Sequence, residues 1–245
     1  MRSPSLICNR ILNLLLGLWL ALPALAQEPT SGAGQLFILS GQSNMTANLE
    51  QGFRDATTAK YGADMVTIVR SMKSGRGVRF WVADYDALSG TPTDESKSKE
   101  NGSQYPILLE AVKKAGDARG FKTVTFVWMQ GESDAMNGRS ALYEASFMKL
   151  RKRLMDDLGL KTMHVVIGRI SDYGLHGEKA DGWRGVREAQ ERLAKQLEHA
   201  AWIDTDDLND VKGKPDGDLH YPAQPSVVLG KRLAEKAIEL IGSKP

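Results

Sequence analysis

The chain has 245 residues, 32 Lys and Arg against 30 Asp and Glu, and one cysteine, Cys8. Near-neutral charge provides no electrostatic drive toward nucleic acid or anionic lipid, so neither is an expected partner. A lone cysteine close to the N-terminus excludes a disulfide framework, a thiolate metal site and a cysteine nucleophile in the body of the chain.

Residues 1–26 read as an export signal. Arg2 and Arg10 supply a positive start, residues 11–22 form an apolar stretch interrupted only by Asn13, and Ala24-Leu25-Ala26 presents the small-x-small pattern of a cleavage site. The stretch is shorter than the ~20 residues that span a bilayer. The expectation is therefore a periplasmic or secreted domain over 27–245 without stable membrane insertion. Losing the signal removes Cys8 and two arginines, which leaves the opposite charges in equal number.

The elements follow in order. Residues 35–39 predict a first strand, ending at Ser40-Gly41, and 65–69 a second. The polar stretch 89–101 predicts a surface loop, with a substrate lid as the alternative. Over 105–118, Ile107, Leu108, Ala111 and Val112 fall at helical spacing. Residues 123–129 (TVTFVWM) form a continuous β-branched and aromatic run, suited to a strand buried on both faces. Residues 141–158 predict a helix through Leu142, Phe147, Leu150 and Leu154, and 163–170 a strand. Residues 183–197 predict a helix through Val186, Ala189, Leu193 and Leu197, 201–203 a short strand, and 227–241 a closing helix through Leu229, Leu233, Ala237 and Ile241. Strand and helix alternating through one chain argue for a single α/β domain, a parallel sheet with helices on both faces. Ligands in such sheets sit at the carboxyl ends of the strands, so a functional motif should fall just after one.

Two loops meet that test. Ser40-Gly41-Gln42-Ser43-Asn44-Met45 follows the first strand, where a serine can present its hydroxyl above the sheet and turn N–H groups can face an oxyanion. Met45 stands where the second glycine of a Gly-x-Ser-x-Gly elbow belongs, which argues against the α/β-hydrolase fold. Ser43 alone also suits a helix N-cap. Gln130-Gly131-Glu132-Ser133-Asp134 follows the strand 123–129, where an amide and carboxylates need partners if buried. Gln130 is a candidate oxyanion donor, Glu132 a candidate tie between loops, and Ser133 or Asp134 a candidate helix cap. A third loop, Asp216-Gly217-Asp218-Leu219-His220-Tyr221, brings His220 with two nearby carboxylates before the last helix, as a general base requires. His164, His176 and His199 are weaker candidates. Asp204-Thr205-Asp206-Asp207 fails the calcium-loop pattern and reads as solvated loop acids.

Together these blocks resemble the SGNH hydrolase superfamily, within it the sialate O-acetylesterase-like and acetylxylan-esterase-like group (carbohydrate esterase family 6-like). The residues that carry the resemblance are Gly41–Met45, Gln130–Asp134 and Asp218–His220. The resemblance implies a flavodoxin-like three-layer α/β/α sandwich with about five parallel strands. It implies a serine esterase that removes O-acetyl groups from a carbohydrate, either sialic acid or a polysaccharide, through an acetyl-enzyme, without cofactor or metal. Its catalytic residues would be Ser43, Asp218 and His220. Its oxyanion donors would be the Ser43 N–H, the Gly102 N–H and the Gln130 amide, with Gln42, Asn44 and Glu132 in support. The superfamily's usual spacing puts the acid three residues before the histidine, where this chain has Gly217. Asp218 is favoured over Asp216, and a Ser-His dyad stays open. Rival readings are a carbohydrate-binding protein on an esterase scaffold and a lipase or thioesterase of the same fold. Trp81, Tyr85, Tyr173 and Trp183 are candidates for stacking on a sugar, and Arg70, Arg169 and Arg187 for binding an anionic group.

Overall fold

A computed structural model describes residues 34–89, 99–210 and 217–243, together with Met1. The export signal, Asp216 and most of the 89–101 loop lie outside the described residues. The elements are β1 (Gln35–Gly41), α1 (Ala47–Tyr61), β2 (Val66–Met72), α2 (Tyr85–Ser89), α3 (Tyr105–Lys114), β3 (Thr123–Met129), α4 (Glu132–Met136), α5 (Ser140–Leu158), β4 (His164–Gly168), α6 (Ala180–Gln196), β5 (Ala200–Ile203) and α7 (Ala223–Gly242).

All five strands are parallel, in the order β2-β1-β3-β4-β5. This is the flavodoxin-like order, and it puts the switch point between β1 and β3. Successive side chains on a strand point to opposite faces, so each central strand supplies two cores. Leu36, Ile38, Phe126, Trp128, Val165 and Ile167 face α3, α5 and α6. Phe37, Leu39, Val127, Met129 and Val166 face α1 and α7. Each such buried side chain contributes roughly 1.5–3 kcal/mol, which is how the domain holds together without a disulfide.

Several boundaries differ from the sequence reading. β2 runs on to Met72, three residues past the predicted end. The 105–118 helix stops at Lys114, where Ala115 and Gly116 turn into a short 3-10 segment started by Asp117. Helix α1 has no counterpart among the predicted elements. Its buried face is narrow, made by Leu49, Gly52, Phe53 and Thr57. It crosses α7 backbone to backbone at two glycines. A Cβ on Gly52 would fall 2.0 Å from the Val227 carbonyl oxygen, and one on Gly230 would fall 1.9 Å from that of Leu49. Close approach replaces apolar bulk here, so hydrophobic periodicity is weak.

Candidate active site

The loop carrying Ser43 starts where β1 leans on β3. Gly41 has φ +143°, and a Cβ there would lie 1.9 Å from the Met129 carbonyl oxygen. Only glycine fits. Gln42 N–H donates to that same oxygen at 3.0 Å, and a turn closes with Met45 N–H donating to Gln42 O at 2.9 Å. Thr46 caps α1, its side chain accepting from Leu49 N–H at 3.1 Å. The cap is thus taken by Thr46, and Ser43 is left in the turn. Its Oγ lies 2.9 Å from Nε2 of the exposed His220.

The loop carrying His220 is anchored on both sides of the histidine by one residue. Asn44 Nδ2 donates to Leu219 O (3.0 Å), and Asn44 Oδ1 accepts from Tyr221 N–H (3.4 Å). Nδ2 also donates to Glu132 Oε1 at 2.6 Å. Beyond this, the Tyr221 hydroxyl meets Thr205 Oγ1 at 2.7 Å, and Thr205 donates to Arg169 O.

The block after β3 ties down the loops around it. Gln130 Nε2 donates to Arg76 O (3.2 Å), Gln42 Oε1 (3.3 Å) and the Asp134 carboxylate. Asp134 Oδ2 also accepts from Val78 N–H at 2.8 Å, and Ser133 Oγ donates to Gly75 O at 3.4 Å. Ser133 N–H donates to Gln42 Oε1 at 3.2 Å. Neither Ser133 nor Asp134 caps α4, whose N-cap is Gly131 without a side-chain bond. The side chains of Gln130, Ser133 and Asp134 hold the 75–78 loop after β2, while Glu132 holds Asn44.

Burial pushes the carboxyls of Glu132 and Asp134 up, each to about 6. Glu132 Oε2 and Asp134 Oδ1 are buried without a hydrogen-bond partner among the described residues. Desolvation raises a carboxyl pKa because it disfavours the charged form.

A cavity of about 570 Å³ opens over Ser43 and His220. Gln42, Ser74, Gly75, Glu132, Ser133, Met136, Asn137 and Leu219 complete its lining. Two of the expected oxyanion donors are not there. Gly102 N–H is spent on Arg79 O at 2.9 Å, in a loop packed on Ala83. Gln130 is fully buried, and its two amide hydrogens already face three protein acceptors. Gly75, which the sequence reading passed over, lines the cavity instead. Its N–H and the Ser43 N–H have no acceptor among the described residues. Gln42 Nε2 likewise has no acceptor among the described residues, while Gln42 Oε1 accepts from Gln130 and Ser133. Asp218 Oδ1 accepts from the His220 backbone N–H at 3.5 Å, and Asp218 N–H donates to Asn209 O at 2.9 Å.

The other expected positions sort as follows. His164 and His199 pair near the N-terminal end of β4, at the opposite end of the strands from Ser43. Trp81, Tyr85 and Trp183 are buried packing residues, whereas Tyr173 is partly exposed. Arg70 pairs with Glu50, Arg169 with Glu191, Asp204 and Asp206, and Arg187 with Asp206. Asp204 and Asp207 are exposed loop acids, as expected, although each also carries an ion pair, Asp207 with Arg232; Asp206 is only partly exposed. Among the described residues no group of three or more His, Cys, Asp or Glu is arranged to hold a metal.

The model of the family described as carbohydrate esterase, sialic acid-specific acetylesterase, matches residues 53–239. The chain belongs to this carbohydrate esterase family. It is a carboxylic ester hydrolase. His220 and the block after β3 lie inside the matched stretch, and Ser43 lies ten residues ahead of it.

Solved structures share the esterase's fold. A protein from Arabidopsis thaliana superposes with a TM-score of 0.61 at 19% identity, over 85% of this chain and 99% of that one. A carbohydrate acetylesterase from Xanthomonas citri gives 0.66 at 17% identity, over 86% of the esterase but only 57% of the Xanthomonas chain. A carbohydrate esterase family 3 member from Talaromyces cellulolyticus gives 0.54 at 13% identity, over 86% and 100%. No curated protein matches the chain. No described helix of the esterase is long and apolar enough to cross a membrane.

Proposed function

We propose that this esterase removes O-acetyl groups from a carbohydrate, with Ser43 as nucleophile and His220 as general base. The observation that carries the reading is the 2.9 Å contact between Ser43 Oγ and His220 Nε2 at the floor of an open cavity. That distance permits direct proton transfer. Ser43 Oγ attacks the acetyl carbonyl carbon while its proton passes to Nε2. The carbonyl π electrons move onto oxygen. Collapse of the tetrahedral intermediate breaks the bond to the sugar oxygen, which leaves with the proton from His220. Water then attacks acetyl-Ser43, gives its proton to His220, and acetate departs as Ser43 takes that proton back.

The oxyanion needs donors that no protein acceptor already holds. We assign them to the Ser43 N–H, the Gly75 N–H and the Gln42 amide, in place of Gly102 and Gln130. All three belong to cavity-lining residues and lack an acceptor within the described protein. Asp218 is assigned the orienting role toward His220, supported by its bond to the histidine's backbone N–H. Met136 and Leu219 are the two apolar side chains of the cavity lining, too few for an apolar acyl channel. That favours acetate over the long acyl chain of a lipase. Export of the 27–245 domain belongs to the same proposal, because an acetylated glycan is met outside the cell.

Acetate release from an acetylated sugar and from an aryl acetate tests the reading in wild type and Ser43→Ala. Loss of both activities in the variant supports it, and wild-type rates in the variant refute it.

A further inference from the structure

A second depression adjoins the catalytic one. Its volume is about 290 Å³, and its lining includes Tyr173, His176, Glu178, Lys179 and Trp183. The two share one wall residue, Met136, whose side chain stays 42% exposed at the end of α4. A single exposed methionine is normal on a surface, but one forming a wall of both depressions makes them continuous, which suits a ligand that crosses from one to the other.

The second depression is built on a firm base. Trp183 is buried, its Nε1 donating to Ser171 O at 2.6 Å, and Tyr173 packs against it at 5.8 Å in an edge arrangement. Tyr173 is itself partly exposed, and its hydroxyl has no partner among the described residues. An aromatic ring backed by a fixed indole, with hydrogen-bonding groups around it, matches a sugar: the ring takes the apolar C–H face and the polar groups take hydroxyls. Lys179 and Glu178 give the rim one charge of each sign, and both are exposed.

The charges narrow the ligand further. The lining of the catalytic cavity includes Glu132 but no lysine or arginine. Arg70, Arg169 and Arg187 are occupied by carboxylates of the protein. Among the described lining residues, a sugar acid would thus meet a carboxylate and no cation beside the ester. We infer that the substrate is an acetylated neutral glycan of at least two rings, the acetylated ring over Ser43 and its neighbour across Met136 against Tyr173. This rests on the acetylesterase reading and adds the substrate class to it.

The experiment compares kcat/KM for an aryl acetate, a mono-acetylated neutral monosaccharide, the matching neutral trisaccharide and an acetylated sugar acid, in wild type, Tyr173→Ala and Lys179→Ala. The trisaccharide should exceed the monosaccharide by about tenfold. Each variant should lower the trisaccharide value by about tenfold, chiefly through KM, and leave the aryl acetate and the monosaccharide unchanged. Lys179 is exposed, so its variant carries the test even if Tyr173→Ala loosens Trp183. Equal values for the two neutral sugars, variants that lower all substrates alike, or a sugar acid cleaved best would each overturn the inference. Failure to cleave the aryl acetate would overturn the esterase reading itself, and the second-ring site with it.

Discussion

The side-chain amide of Asn44, the residue after Ser43, donates to the buried carboxylate of Glu132 at 2.6 Å and holds the backbone on both sides of His220. One side chain therefore couples the Ser43 turn, the block after β3 and the histidine loop. Asn44→Ala should lower kcat by about 100-fold, because a shift of about 1 Å in a catalytic group costs that much. It should also cost roughly 1.5–3 kcal/mol of stability, the worth of a hydrogen bond to a charged group. Steady-state kinetics and thermal melts check both. A fall in melting temperature with kcat unchanged would show that Asn44 serves the fold alone.

Gln42 separates its two jobs by atom. Its oxygen accepts from Ser133 N–H and Gln130, and its nitrogen has no acceptor among the described residues. Gln42→Glu keeps an acceptor for Ser133 but removes the donor. If the amide holds the oxyanion, this variant should fold normally and lose about 100- to 1000-fold in kcat with little change in KM. Retained kcat in a folded Gln42→Glu protein would remove Gln42 from the oxyanion site.

Glu132 gives a pH signature. Burial raises its carboxyl from 4.5 to about 6 in the folded protein. The folded state thus holds the proton more tightly than the unfolded state. That contribution to stability is fully present below about pH 4.5 and is lost as pH rises through about 6. The loss amounts to about 2 kcal/mol, from ~1.4 kcal/mol per pKa unit. Glu132→Gln removes this titration. The stability of the variant relative to wild type should therefore be about 2 kcal/mol more favourable at pH 7.5 than at pH 4. Chemical denaturation at the two pH values measures it.

Asp218 and Asp216 are told apart by substitution. The Asp218 carboxylate accepts from the backbone N–H of His220. Asp218→Asn should cost more in kcat than Asp216→Asn, with pH-rate profiles separating lost orientation from lost base strength. The reverse order would move the orienting role to Asp216, and no loss in either would leave a Ser-His dyad.

Much of the fold was legible because the buried strands are unbroken apolar runs and the functional loops follow them. Residues 123–129 form a strand with the predicted bounds, and Ser43 and His220 are brought together although 177 residues separate them. Gly75 was missed for a local reason. With β2 expected to end at 69, the glycine stands too far from a strand end to satisfy the rule; with β2 ending at Met72, it satisfies it. Gln130 looked like a donor to substrate because its three acceptors come from residues 42, 76 and 134, and sequence gives no view of which loops converge. Helix α1 stayed hidden because Gly52, at its crossing with α7, stands where periodicity would need a larger side chain.

The most direct test is mass spectrometry of enzyme quenched during turnover of an aryl acetate. The account predicts one acetyl group on the peptide containing Ser43, absent from Ser43→Ala and removed by water with recovery of free enzyme. Acetate release at the wild-type rate from Ser43→Ala, with no acetylated peptide at any time, would contradict it.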